Sequence, residues 1–192
     1  MHGRRGVHDR LAGQGVIRMN QPPSMPPGTS PHMPKPAPMK IGLHHFAKVF
    51  TKVSTPVVLM LGPGFMRVAA VDRLFFEGPA GAVSAKLNKV VGHLTLETPN
   101  GKFLLAAVGA AGSQPFHPGQ EQEIIAAQQL AAQDPQTSQV RLAQTLWIGK
   151  PGQVDGSYAG GFRSMRDGEA IKQNQIGRIV YEAMGLAGVA VK

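Results

Sequence analysis

Residues 90–108 read VVGHLTLETPNGKFLLAAV, and their alternation decides what kind of fold the rest of the chain completes. Leu94 and Leu96 alternate with His93, Thr95 and Glu97, and beyond Asn100-Gly101 the same period returns in Phe103, Leu105 and Ala107. A period of two is that of a half-buried strand, and an Asn-Gly pair supplies the positive φ angles of a tight turn. The stretch predicts an antiparallel hairpin with His93 on its outward side.

Upstream, FAKVFTKV opens a folded pattern at residue 46, and Val57–Leu61 (VVLML) runs as a buried strand into Gly62-Pro63-Gly64. Phe65–Val71 and Arg73–Glu77 are short β-favouring pieces ended by Gly78-Pro79 and Gly81. Downstream, the loop GAAGSQPFHPG leads to Gln120–Ala132, a helix with Glu121 and Glu123 in its first turn, stopped by Asp134-Pro135. Val140–Ile148 fits either period and is read as a short helix capped by Ser138. Pro151–Gly161 is loop. Asp167 then caps a helix from Gly168 to Met184, with Ile176, Ile179, Val180, Ala183 and Met184 as its apolar stripe and Gly185 as its C′ residue. The expected fold class is α+β, a small antiparallel sheet or partial β-barrel with flanking helices and an extended Pro-rich N-terminal arm. Three parts are expected: an arm over 1–45, a β-rich domain ending in a helix over 46–135, and a helical C-terminal extension over 136–192.

Charge follows the same division. The 192 residues carry 20 Lys+Arg against 11 Asp+Glu, a net +9. Residues 1–53 hold eight basic residues and only Asp9, giving +7; residues 54–138 give −1 and residues 139–192 give +3. Within 21–40 stand Pro22, Pro23, Pro26, Pro27, Pro31, Pro34, Pro36 and Pro38, which exclude helix and central strand. Met19, Met25, Met33 and Met39 are interleaved with them, unbranched side chains suited to irregular apolar grooves. Such an arm is expected to dock on a neighbour.

The stretch from Pro56 to Ala132 resembles the bacterial pleckstrin-homology-like and GRAM-like modules. The resemblance is carried by Asp72-Arg73-Leu74-Phe75-Phe76, by Leu96-Glu97-Thr98-Pro99-Asn100-Gly101-Lys102-Phe103, and by the helix that follows. It implies a partial barrel that serves as a non-enzymatic binding or scaffolding module, with Lys86, Lys89 and Lys102 as a basic mouth for anionic lipid or a protein partner.

Other chemistries find little support. With no Cys there is no disulfide, thiolate or Cys-ligated zinc. His44-His45, even with His32, has no carboxylate close by in sequence to complete a metal site, so no metal or cofactor is expected. No Ser has a nucleophile-elbow context, Asp167 and Glu169 suit a helix start, and no Gly-rich stretch carries the Gly-Lys-Ser/Thr of a phosphate loop. The chain is therefore expected not to be an enzyme. No apolar run reaches the ~18 residues of a membrane span, and residues 1–20 lack the apolar core of a signal peptide, so a cytoplasmic or virion location is expected rather than secretion. The expected function is a structural and interaction subunit of a larger assembly, a viral particle or another multi-subunit machine. Its partners are subunits of that assembly, including copies of itself. The expected partner-binding residues are Met25, Met33, Met39, Arg4 and Arg5 of the arm, with the aromatic–arginine cluster Tyr158, Phe162, Arg163 and Arg166. The alternatives are nucleic-acid binding through the basic arm and lipid or protein binding through the pleckstrin-like mouth.

Overall fold

A computed structural model of the protein describes residues 35–48, 52–151 and 168–192, with residues 168–171 as backbone only. Lys35–Lys192 form one compact unit, and it begins upstream of where the prolines suggested. β1 is Met39–Phe46, followed by β2 (Thr55–Gly62), β3 (Phe65–Ala69), β4 (Leu74–Pro79), β5 (Ser84–Leu87), β6 (Leu94–Thr98) and β7 (Gly101–Ala106). Helix α1 (Pro118–Gln133), helix α2 (Gly168–Ala187) and the two-residue β8 (Ala190–Val191) complete the order. The fold is α+β, an eight-stranded sheet in the order β4-β3-β2-β1-β7-β6-β5-β8 with its two helices. All pairings are antiparallel except β5 with β8.

That order requires the sheet to curl. β4 and β5 stand six strand spacings apart, about 29 Å in a flat sheet. Only Ala80–Val83 join them, a connection that reaches roughly 17 Å when extended. The turn between β6 and β7 reaches across as well, since Asn100 Nδ2 donates to the Phe75 carbonyl of β4 at 3.1 Å. Inside the curl lie Ile41, Leu43, Leu59, Leu61, Met66, Leu96 and Leu105, all essentially inaccessible to solvent.

Three expected boundaries move. The arm was expected to extend to residue 45, but Met39, Ile41 and Leu43 alternate inward and pair with Leu61, Leu59 and Val57. The strand starts one residue after the last proline, because burial of those side chains outweighs the local Pro-rich composition. The expected C-terminal extension belongs to the same core, as Ile176, Val180, Ala183 and Met184 join the main apolar cluster. Gly185 stays inside α2. The C′ position is Gly188 (φ 98°), where Val189 N–H donates to the Met184 carbonyl and Gly188 N–H to the Gly185 carbonyl, a Schellman closure.

The hairpin forms over the residues expected, with its turn one residue earlier. Thr98 pairs with Gly101, so Pro99 and Asn100 are the corner and Gly101, at φ 125°, is the first residue of β7. Proline's fixed φ suits the first corner position, and the Thr98 hydroxyl accepts from Asn100 N–H at 3.1 Å. The ambiguous Val140–Ile148 stretch holds a short 3-10 turn at Arg141–Gln144, with Val140 rather than Ser138 preceding it.

Candidate functional site

His44 and His45 are adjacent on β1 and therefore point to opposite faces, so the pair cannot converge on one ion; His32 lies outside the described residues. Rather than lying in an arm, His44 is fully buried, edge-on to Phe116 with ring centroids 5.4 Å apart. Its Nδ1 lies 3.1 Å from Ser54 Oγ, which is 2.7 Å from Ser113 Oγ and accepts from Ala110 N–H at 2.9 Å. Ser54 N–H donates to Ser113 Oγ at 2.8 Å. Either neutral tautomer of the ring satisfies this set. A serine beside an imidazole is a nucleophile–base pair in composition, but here both side chains are sealed from solvent. It ties β1 to the loop that precedes β2 and the loop that follows β7.

His44 Nε2 is buried without a hydrogen-bond partner among the described residues, although the Gly149 backbone lies beside it. Burial lowers the pKa of His44 to about 4, with the Gly149 backbone opposing only in part. His45, against Phe75 and Phe103, is lowered by burial and then by the Arg73 charge. His93, expected to face outward, is stacked on Phe46 at 6.0 Å and is also lowered by burial.

A folded-state pKa below the unfolded value near 6.5 means the unfolded chain binds the proton more readily. The stability held by neutral His44 is present above 6.5 and is lost as pH falls toward 4. The expected loss from His44 alone between pH 7.5 and 5 is about 2 kcal/mol, and His45 and His93 add to it. Asp134 does not confuse this window: its carboxyl is held down to about 2 by the Thr137 backbone and side chain, so its contribution is lost only below about 3.8. Urea midpoints at the two pH values test this, and equal midpoints would show that His44 titrates as a solvated ring.

Two concave surfaces lie on the outside. The first, of about 500 Å³, is lined by Ser84 and Lys86 of β5, Thr95 and Glu97 of β6, Lys102 of β7 and the terminal Lys192. Alternation places these residues on one polar sheet face. Two of the three lysines expected to form a basic mouth meet here, while Lys89 does not line the cleft and Lys192 takes its place. The charge is partly spent, since Glu97 lies 3.4 Å from both Lys102 and Lys192 and these contacts hold its pKa down. Lys86 faces the cleft with no ion pair among the described residues.

The second surface, of about 460 Å³, lies at the N-terminal end of α1, between the start of β2 and the β3–β4 turn. Pro56, Val71, Asp72, Pro115, Phe116 and Gln120 are among its lining residues. His117 caps α1: Gly119 N–H donates to His117 Nδ1 at 3.1 Å, and His117 N–H donates to Gln120 Oε1 at 3.2 Å. This is a reciprocal capping box with His in the Ser/Thr position. Gln120 is only 7% exposed, and its Nε2 has no hydrogen-bond partner among the described residues.

Of the residues expected to bind partners, only Met39 falls among those described, and it is 4% exposed in the core. It leaves the docking set because its side chain has the sheet as its partner. Arg4, Arg5, Met25, Met33, Tyr158, Phe162, Arg163 and Arg166 lie outside the described residues. Gln120 was missed as a site residue, although a glutamine three positions after a residue preceding Pro118 is a helix-start signature. No protein-family model, curated protein or solved structure matches the chain.

Proposed function

We propose that the protein is a structural and interaction subunit of a larger protein assembly, such as a viral particle, whose N-terminal arm laces onto a neighbouring subunit. The observation that supports this most is the division at residue 34. Lys35–Lys192 form a unit of their own, with a core drawn from the sheet, the 3-10 turn and α2. Residues 1–34 fall outside that unit, and they bring Met19, Met25 and Met33, six prolines and a net +3. Apolar and proline-rich docking fits that composition better than phosphate binding, because residues 19–34 contain no Lys or Arg.

Light scattering on the full chain, with the 260 nm to 280 nm absorbance ratio, tests the reading. A discrete multimer free of nucleic acid is expected, and a chain lacking residues 1–34 should be monomeric. Replacing Met25 and Met33 with serine should weaken assembly more than reversing the charge of Arg4, Arg5 and Arg10, and 50 to 200 mM salt should change it little. A monomer that carries nucleic acid, with affinity falling steeply over that salt range, would replace this reading by nucleic-acid binding.

A further inference from the structure

We infer that the groove at the N-terminal end of α1 is the receptor for the proline-rich arm of a second copy, residues 21–34 lying against Pro56, Val71, Pro115 and Gln120. The inference rests on the assembly reading above and gives it a site. A proline has a carbonyl but no N–H, so a proline-rich segment presents flat apolar rings and unpaired acceptors. The groove offers the complement. Pro56, Val71, Pro115 and Phe116 give it apolar walls, the setting in which extended proline-rich segments are bound. Among the lining residues Gln120 carries an amide donor, Nε2, that no described residue satisfies, and a buried donor without an acceptor is costly until one arrives. A peptide carbonyl supplies it.

Charge and reach select the occupant. Exposed Asp72 lies on the rim, and Arg18 stands three residues before residue 21. Within one chain, Ala37 N–H is held by the Asp134 carboxylate at 3.2 Å, at the C-terminal end of α1. The groove lies at the other end of this 16-residue helix, about 24 Å away. An extended proline-rich chain covers about 3.1 Å per residue. Some eight residues, 29–36, would be spent on that crossing, leaving Pro22, Pro23, Pro26 and Pro27 but neither Pro31 nor Pro34 for the groove. A second copy can offer the whole segment.

Because the chain contains no cysteine, the contact can be trapped cleanly. Full-length M25C is mixed with full-length V71C and oxidised mildly with copper–phenanthroline. Lys86→Cys, on the polar cleft, serves as the control position. The expected result is a mixed disulfide dimer at least fivefold more abundant with Val71→Cys than with Lys86→Cys. Val71→Glu, at an exposed position, should weaken self-association at least tenfold while leaving the melt unchanged. Equal yields from the two cysteine positions would overturn the groove, as would an intrachain disulfide alone in the double variant. If removal of residues 1–34 dissolves the assembly while these probes show no preference, the site is wrong and the assembly reading stands. If that removal leaves the assembly intact, both fall.

Discussion

Removing residues 1–34 is expected to leave the melting temperature of the domain within about 2 °C of the full chain, whereas removing residues 1–45 abolishes the cooperative melt. The eleven further residues contain nearly all of β1, the strand that joins the two halves of the sheet. It pairs β2 from Met39↔Leu61 to His45↔Thr55, and β7 from His44↔Ala106 to Phe46↔Leu104. Without it β2 and β7 become open edges, and the strands split into a β2–β4 group and a β5–β7 group. Met39, Ile41 and Leu43 are buried, and truncating one such side chain typically costs ~2–5 kcal/mol. Three of them account for a loss comparable to the ~5–15 kcal/mol that holds a whole domain. The strand also receives Gly149 N–H on the Gly42 carbonyl at 3.1 Å and donates Gly42 N–H to the Trp147 carbonyl at 3.0 Å. Far-ultraviolet circular dichroism against temperature on both truncations decides the point; a normal transition in the shorter chain would mean that β1 is dispensable.

The extent to which this fold is legible in sequence differs by element for physical reasons. The β6–β7 hairpin is readable because its period of two is unbroken on both arms and its turn residues are specific. Its register is readable only to within one residue, since Pro99 and Gly101 each favour a corner position and the proline prevails. β1 has the same period in Met39, Ile41 and Leu43, but it follows Pro36 and Pro38 directly and carries two histidines that read as polar. β5 has four residues and β8 two, too few for any period, and they form because the Schellman turn at Gly188 returns the chain along β5. The outer surfaces are less legible still. The groove draws its walls from β2, the β3–β4 turn and the loop before α1, three segments that only the curled sheet brings together.

Within α2 two glycine-to-alanine substitutions should move stability in opposite directions. Intrinsic helix propensity favours alanine over glycine by about 1 kcal/mol at either position. At Gly185 the nearest atoms to an added methyl are Val191 Cγ1 and Cγ2 at 3.6 Å, an ordinary contact. Gly185→Ala is therefore expected to stabilise by a few tenths to about 1 kcal/mol. At Gly177 the same methyl would lie 2.2 Å from the Gly92 carbonyl oxygen. That obstacle is backbone, and it cannot step aside alone. Gly92 has φ 73° and sits so close to the helix that its own added Cβ would lie 2.6 Å from the Gln173 carbonyl. The surrounding loop is fixed to α2 as well: Gln173 Nε2 donates to the Val91 carbonyl at 2.6 Å while its Oε1 accepts from Val108 N–H, and Asn174 Nδ2 donates to the Lys89 carbonyl. Relieving the clash means parting the helix from the loop and straining a buried polar link. Gly177→Ala is thus expected to destabilise by about 2 kcal/mol or more after the propensity gain, some 4–8 °C in a domain of this size. Thermal melts of the two single variants check this, and an equal rise in both would mean that α2 does not touch the Gly92 loop.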